Sequence, residues 1–509
     1  MKSGSGSVKR WLKKYHKWVS IVCTFFILLF AVSGIVMNHR ATFGGVDINR
    51  SYLPVSYQYS NWNLGAIKGG LKVDSAKVVV YGNIGVWLTD SCFSSYKDLN
   101  RGFPEGIDNR KITSLAVNSK GDLLAGTLFG LYKRAKGEEI WKKLAIPSDE
   151  QRIVKVLQLT DKLFVMTRSD LLMSIDDGKS FRTIILPAIF NENPATGLFR
   201  LTWIVHSGEI LGIPGKLLVD LVGIVFILLT ITGLIFFITP NVIKRLSTGM
   251  KKRWAKLAGF SLRWHNHMGT WMFAFLTVTT LTGMFLRPPL LISIAGVRFE
   301  TDAENKMHIW DDKLRDILYD AEQKRFIIAT TDGLFYTNIH FDQKLQRFKC
   351  QPPVSVMGIT VFEKVADGHF LTGSFSGLFD WFPEKGLVVD RMTGLPPDPM
   401  LLNGPPIGNV SVSGFYESIS GTFIIFDYGR GAIMSQPGLI GPMPADVLKK
   451  SPMSLWNLSL EIHTARIWEP LIGGFYILIV PFSGFFILFS LISGLWLWLL
   501  AKKNRKRIL

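Results

Sequence analysis

Long apolar runs divide this chain of 509 residues into two similar halves. Four runs are long enough to cross a bilayer, and we place membrane spans at residues 18–38, 209–239, 264–288 and 466–500. Two long segments, residues 39–208 and 289–465, separate the spans of each half and are rich in short strand-like runs and Gly turns. The order span, segment, span occurs twice, which predicts a four-span bundle built by duplication of a two-span unit.

The distribution of charge indicates which side of the membrane each segment occupies. Three short stretches, residues 1–17, 241–263 and 501–509, hold 18 Lys and Arg but no Asp or Glu, and so explain nearly all of the net charge of +19. Because basic residues are retained on the cytoplasmic side, we expect both termini and the loop 240–263 to be cytoplasmic and the long segments to lie outside. Membrane orientation thus accounts for the basicity, and a nucleic-acid partner is not expected. The first span is expected to be an uncleaved anchor.

Each long segment carries three copies of a repeat in which a β-rich run and a small residue precede Gly, or once Asp, and two apolar residues. The copies are residues 82–87, 126–132, 167–172, 329–335, 373–379 and 427–433. Strands and Gly turns at a spacing of about 40 residues are typical of propeller blades, and Ser174–Phe181 matches an Asp-box turn. We expect one six-bladed propeller built from both segments, because three blades alone leave open sheet edges. Two separate β-rich domains are the alternative.

Histidines recur at matching positions near the ends of the apolar runs. His16 and His265 each follow an aromatic residue and precede a Gly by 18 residues, so histidine and glycine share one helix face. His206 and His463 each precede a span that enters from outside. The topology therefore predicts an inner pair, His16 with His265, and an outer pair, His206 with His463.

The duplicated histidines favour haem as the cofactor. A single boundary histidine is more simply explained as an interfacial polar residue, but ionisable residues at membrane depth are costly and usually functional. Two imidazoles from facing helices can bind haem iron from both sides. His39 competes for the outer position and His267 for the inner one. Zinc or copper is the alternative, although no Cys, Asp or Glu clusters with the pairs to complete such a site.

Other chemistry-bearing residues have plainer interpretations. Asp220 in the second span is expected to pair with Lys216 on the same helix face, with a quinone or proton site as the alternative. Cys92 and Cys350 fall one in each outer segment, and we expect two free cysteines rather than a disulfide. No catalytic residue stands out in the outer segments. Three further histidines are expected to be ordinary propeller residues: His308, His340 and His369.

Several of these motifs together resemble the PepSY-associated transmembrane-helix family of iron-regulated bacterial inner-membrane proteins. The matching stretches are Tyr15-His16-Lys17-Trp18, His206-Ser207-Gly208, Trp264-His265-Asn266-His267-Met268-Gly269 and Ser493-Gly494-Leu495-Trp496. The resemblance covers the four spans, about a third of the chain. The chain departs from the family pattern at Ser20, where Gly is usual, and in having propeller-like outer segments instead of recognisable PepSY modules.

The resemblance implies a ferric-siderophore-reductase-like oxidoreductase of the bacterial cytoplasmic membrane. Two b-type haems, held by His16, His265, His206 and His463, would carry electrons outward to a ferric siderophore or related chelate in the periplasm. The cytoplasmic segments leave no room for a flavin domain, so we expect a membrane quinol or a separate cytoplasmic reductase as the electron donor. The alternative function is a membrane-anchored propeller receptor or sensor for a chelate, a peptide or a partner protein.

Overall fold

The computed structural model describes residues 3–74, 76–190, 195–300, 309–355, 358–403, 408–418 and 421–506. The chain forms two compact units, each assembled from separate stretches of sequence. The helical unit comprises Met1–Phe43, Ala195–Glu300 and Leu455–Leu509, and the sheet unit comprises Gly44–Pro194 and Thr301–Ser454. Each unit therefore draws on both halves of the duplicated sequence.

Most helices belong to the helical unit. In the described part of the chain they are α1 (Ser3–Asn38), α2 (Arg40–Phe43), α3 (Leu198–Ser207), α4 (Gly212–Lys244), α5 (Thr248–Trp271), α6 (Phe273–Phe285), α7 (Leu290–Ala295), α8 (Pro399–Asn403), α9 (Ala445–Lys449), α10 (Leu455–His463), α11 (Glu469–Ile472) and α12 (Ile479–Lys506). Short 3₁₀ turns form the first part of the second and fourth predicted spans, at Glu209–Leu211, Arg466–Trp468 and Gly473–Leu478.

Three helical stretches among the described residues are long and apolar enough to cross a membrane. They are Ser7–Asn38, Glu209–Lys244 and Arg466–Lys503. A fourth crossing is present if α5 and α6 are counted as one bent span. The apolar runs predicted at 18–38, 209–239 and 466–500 fall within these three stretches.

The third predicted span, residues 264–288, is divided by a bend. Helix α5 begins in the basic segment that the sequence marks as a loop and continues through His265 to Trp271, where α6 departs at 67°. The hydroxyl of Thr270, next to the bend, donates a hydrogen bond to the carbonyl of Asn266 at 2.8 Å. The same bond occurs at Thr230 and Thr280 within α4 and α6, so it does not by itself account for the bend. The apolar run continues through this point without proline, so hydropathy gives no sign of the bend.

The strands lie almost entirely in the sheet unit. In the described residues they are β1 (Asp47–Ile48), β2 (Gly69–Lys72), β3 (Lys77–Gly82), β4 (Gly85–Asp90), β5 (Tyr96–Asp98), β6 (Ile112–Val117), β7 (Leu123–Thr127), β8 (Gly130–Arg134), β9 (Lys142–Leu144), β10 (Ile153–Leu159), β11 (Lys162–Thr167), β12 (Leu171–Ser174), β13 (Arg182–Ile184), β14 (Ala195–Gly197), β15 (Arg298–Glu300), β16 (Leu314–Asp320), β17 (Arg325–Thr330), β18 (Gly333–Asn338), β19 (Gln346–Arg347), β20 (Ile359–Ala366), β21 (His369–Ser374), β22 (Gly377–Phe382), β23 (Leu387–Asp390), β24 (Val412–Glu417), β25 (Phe423–Asp427), β26 (Gly431–Met434) and β27 (Met453–Ser454). The pair β14–β15 belongs to the helical unit, and β1 pairs with β27.

Antiparallel sheets with strands in chain order follow one another along the sheet unit. They are β2–β5, β6–β9, β10–β13, β16–β19, β20–β23 and β24–β26, three from each outer segment. The six sequence repeats are the hairpin turns that join the second and third strands of these sheets. In the first repeat, Gly85 has φ +93° and a Cβ there would come within 2.1 Å of the Asn100 side chain, so this turn requires glycine.

Apolar clusters fill the spaces between successive sheets. Strand alternation sends Val79 towards the sheet β6–β9, whereas its neighbours Val78 and Val80 pack against the sheet β24–β26. The same division recurs at each sheet, so that every sheet is buried on both faces. The cluster that contains Val78 and Val80 joins the first sheet of the series to the last one.

Candidate functional site

The helical unit brings the four duplicated histidines together as two pairs. His16 on α1 faces His265 on α5, with ring centroids 6.4 Å apart. His206 at the end of α3 faces His463 at the end of α10, with ring centroids 6.1 Å apart. All four side chains are partly buried. Each histidine therefore lies beside the partner that the membrane topology predicts for it.

Every one of these imidazoles is held by the same pair of acceptor groups on another helix. The Nδ1 atoms lie 3.1 Å from Ser490 O and 3.0 Å from Ser493 Oγ (His16), 3.1 Å from Leu229 O and 3.1 Å from Thr232 Oγ1 (His265), 3.0 Å from Thr279 O and 3.2 Å from Thr282 Oγ1 (His206), and 3.0 Å from Phe30 O and 3.0 Å from Ser33 Oγ (His463). In each case the carbonyl belongs to a residue three positions before the Ser or Thr.

These contacts fix which ring nitrogen carries the proton. A backbone carbonyl can only accept a hydrogen bond, so Nδ1 must donate, and the lone pair of the neutral ring is on Nε2. A metal-binding histidine is ordinarily oriented by such a bond from its other ring nitrogen, which also raises its basicity as a ligand. In their neutral form, the four histidines therefore share one tautomer, with the proton on Nδ1 and the lone pair on Nε2.

A glycine completes each holding motif by leaving room for the ring. It directly follows the Ser or Thr, so the motif reads carbonyl, hydroxyl three residues later, and glycine four residues later; we call this a histidine cradle. A Cβ on the glycine would lie 3.0 Å from the ring of His16 (Gly494), 3.5 Å from that of His265 (Gly233), 2.8 Å from that of His206 (Gly283) and 3.2 Å from that of His463 (Gly34). The glycines thus permit close approach of the imidazole to the helix backbone.

The cradles connect the two sequence repeats reciprocally. His16 comes from the first repeat and is held by α12 of the second, whereas His265 comes from the second repeat and is held by α4 of the first. His206 and His463 are exchanged in the same way, through α6 and α1. The Ser/Thr-Gly dipeptides are visible in the sequence as recurring close-approach positions. Their role as holders of a histidine from another helix could not be seen there, because it depends on which helices meet.

The two competing histidines have other partners. His39 donates from Nε2 to Asp220 Oδ2 at 2.6 Å, and Asn38 donates to the other carboxylate oxygen at 3.0 Å. The expected pairing of Asp220 with Lys216 is therefore wrong. Lys216 lies 3.6 Å from Glu209 instead, because the turn before α4 brings that carboxylate back over the helix.

His267 lies on a different face of α5 from His265. Its ring packs between Trp264 and Trp271, with centroid distances of 6.0 and 5.4 Å. His369 in the sheet unit bonds Asp380 at 2.7 Å, whereas His308 lies outside the described residues. The cysteines Cys23, Cys92 and Cys350 are free thiols.

The donor set fits haem iron. An imidazole nitrogen bonds a metal ion at about 2 Å, so two imidazoles on opposite sides of one iron have ring centroids about 6 Å apart. Both histidine pairs meet this distance, and in the neutral ring the proton is on Nδ1, which faces the cradle. Across the described residues, no group of three or more His, Cys, Asp or Glu side chains could hold a metal ion, as a zinc site of the usual kind would require.

The model of the PepSY-associated TM region matches residues 1–239 and 193–325, which together cover more than half of the chain. The chain belongs to this family. The matched stretch includes His16, His206 and His265 and three of the four cradles, whereas His463 and the cradle around Gly494 lie beyond it. No curated protein matches the sequence.

Solved structures similar to this PepSY-associated chain share little sequence with it. The extracellular domain assigned to the hybrid two-component system BT4673 of B. thetaiotaomicron is 10% identical, with a TM-score of 0.36 over 73% of this chain and 32% of that one. The GH74 xyloglucanase of Xanthomonas campestris is 9% identical, with a TM-score of 0.36 over 74% of this chain and 46% of that one. The chain thus spans about a third of the length of the first of these structures.

Proposed function

We propose that this protein is a haem-containing electron-transfer protein that reduces ferric iron on the outer side of the bacterial cytoplasmic membrane. The observation that carries the proposal is the presence of two facing pairs of imidazoles, each ring fixed in the same tautomer by the same cradle. A membrane anchor alone has no use for such an arrangement. The ferric iron would be presented as a siderophore or a related chelate.

The residues that would hold the cofactor are the four duplicated histidines. His16 and His265 would ligate one haem b, and His206 and His463 a second. When bound, haem supplies one-electron transfer. The chain itself supplies ligation, ring orientation through the cradles, and an apolar surrounding.

Helix α1 indicates how far apart the two levels are. It carries His16 and, eighteen residues later, the cradle residue Gly34, a separation of about 27 Å along the helix axis. This separation approaches the apolar thickness of a bilayer, about 30 Å. It supports an inner level and an outer level for the two histidine pairs, as electron transfer across the membrane requires.

We further propose that the sheets of the sheet unit form a six-bladed propeller outside the membrane. The apolar cluster that joins the last sheet of the series to the first one supports this arrangement. The basic stretches support cytoplasmic termini. The electron donor would be a membrane quinol or a separate cytoplasmic reductase, and ferric chelate would be reduced at the outer face.

A visible absorption spectrum of the purified full-length chain, with haem stoichiometry, tests the proposal. We expect two haems per chain and split bands on reduction. His16→Ala or His265→Ala should remove one chromophore, and His206→Ala or His463→Ala the other. His39→Ala is the matched control and should leave both chromophores, because the Nε2 atom of His39 is hydrogen-bonded to Asp220.

A colourless preparation from haem-replete cells would refute the proposal and leave a membrane-anchored receptor or sensor as the function. Loss of the same chromophore in His16→Ala and His206→Ala would contradict the assignment of the pairs to two levels. Loss of a chromophore in His39→Ala would show that the outer ligand is misassigned.

A further inference from the structure

Two arginines lie beside the His206–His463 pair. Arg287 follows the cradle residue Gly283 by four residues, about one helical turn, and Arg466 follows His463 by three. The Arg287 guanidinium is close enough to interact electrostatically with both His463 and Arg466. Arg287 therefore lies near His463 of this pair, and Arg466 lies near Arg287.

The charges of this cluster do not balance. Arg466 donates to Glu461 at 2.6 Å and to the hydroxyl of Thr464 at 3.3 Å. The carboxylate that acts on Arg287 is again Glu461, and the other polar neighbour of Arg287 is the hydroxyl of Tyr476. Among the described residues, the two guanidinium groups thus share one carboxylate, and one positive charge remains.

Arg287 also has an unused donor away from water. Its Nε atom is buried and has no hydrogen-bond partner among the described residues. A buried donor without a partner is costly, and a cation near membrane depth is more so. Such groups are retained where a ligand supplies the missing acceptor.

We propose that Arg287 and Arg466 bind carboxylate groups of a ligand at the His206–His463 level. The planar guanidinium group matches a carboxylate through two parallel hydrogen bonds, and it stays charged in apolar surroundings. The proposal rests on the proposed function, because the first candidate for the ligand is the haem at this level, whose two propionates are carboxylates. A ferric chelate that contains carboxylates has the same chemistry and is the second source.

The first test uses the unaltered full-length protein, produced in cells unable to make haem. It is titrated with haemin and, separately, with haemin dimethyl ester, in which both propionates are masked. We expect two chromophores with haemin and at least about tenfold weaker binding of the ester at one of the two sites, since the ester cannot accept the charge-assisted hydrogen bonds. This arm requires no substitution, so misfolding of a variant does not affect it.

The second test assigns the effect to the arginines. The double variant Arg287→Gln, Arg466→Gln should bind haemin and its ester equally at that site, whereas Arg245→Gln, an exposed arginine after α4, should retain the tenfold preference. Ferric citrate is the probe for the second source. If the haem-loaded double variant binds ferric citrate more weakly than the wild type does, and the wild type binds haemin and its ester equally, the carboxylate site belongs to the chelate.

The inference is overturned if the wild type and the double variant show the same preference for haemin over its ester and the same affinity for ferric citrate. That result differs from a failure of the proposed function. If haemin gives no Soret band at all, the electron-transfer proposal falls. If two normal chromophores form, neither site prefers haemin to its ester, and the double variant binds ferric citrate as the wild type does, only the role of the arginines is refuted.

Discussion

Under the proposed function, the cradle in which glycine and imidazole approach most closely predicts that a single methyl group will remove one of the two haems. In Gly283→Ala, the new Cβ would lie 2.8 Å from the His206 ring. An ordinary contact between carbon atoms is about 3.5 Å or more, so the imidazole must move by about 0.7 Å. Metal–ligand distances tolerate only about 0.2 Å. We therefore expect His206 to be displaced from an iron-binding position.

The same substitution should not harm the helix itself. Gly283 lies within α6, where alanine is favoured over glycine by up to about 1 kcal/mol. If the cradle did not matter, Gly283→Ala would be neutral or slightly stabilising. We expect instead that haem content, measured as pyridine haemochrome per chain, falls from two to one, with the His16–His265 chromophore retained.

The other cradles provide a graded control series. A Cβ at Gly494, Gly34 and Gly233 would lie 3.0, 3.2 and 3.5 Å from the ring that each glycine faces. Haem loss should decrease in this order, and Gly233→Ala should retain both haems. The reasoning is refuted if Gly283→Ala keeps two haems with unchanged midpoint potentials, or if Gly233→Ala loses haem to the same extent.

Three further outcomes are expected. Thr282→Val removes the hydroxyl that accepts from His206 but leaves the carbonyl bond, so haem affinity at that level should fall about tenfold, and Thr282→Ser should restore it in an equilibrium titration. Asp220→Asn replaces one carboxylate oxygen with an NH2 group, so the side chain can no longer accept from both His39 and Asn38, and we expect about 1 kcal/mol of destabilisation in thermal unfolding, with both haem bands unchanged; a lost band would contradict this. In the sheet unit, burial of Asp122 opposes its ionisation, but the ion pair with Lys133 and further hydrogen bonds lower its pKa to about 2. Because the folded-state pKa is depressed, the stabilisation of about 2 kcal/mol should be present above about pH 4 and lost as the pH falls towards 2. Asp122→Asn should therefore lower the unfolding midpoint of the full chain at pH 7 but hardly at pH 2. An equal effect at both pH values would exclude the ion pair as its cause.

Local patterns in the sequence are sufficient for several features of this protein. Apolar run length marks the candidate membrane helices, because a bilayer of fixed thickness imposes it. Five of the six repeats have Gly at the hairpin turn, and at Gly85 the turn leaves no space for a side chain and requires a positive φ. The duplicated histidines could be paired in advance, since repeat symmetry and membrane topology together restrict which of them can share a level.

Other features depend on which helices meet. Asp220 pairs with His39 across two helices rather than with Lys216 along one, and periodicity within α4 cannot reveal this. The bend between α5 and α6 occurs within a continuous apolar run, so hydropathy does not show it.

The sequence by itself determined the number and type of the duplicated groups: four boundary histidines, four Ser/Thr-Gly dipeptides and six β repeats. Only the tertiary structure decided that each histidine is held by the dipeptide of the other repeat, with its proton directed to a carbonyl and its lone pair left on Nε2. The physical reason is that a helix fixes the face on which a residue lies, whereas the hydrogen-bond partner of a side chain is fixed by the packing of helices that are distant in the chain.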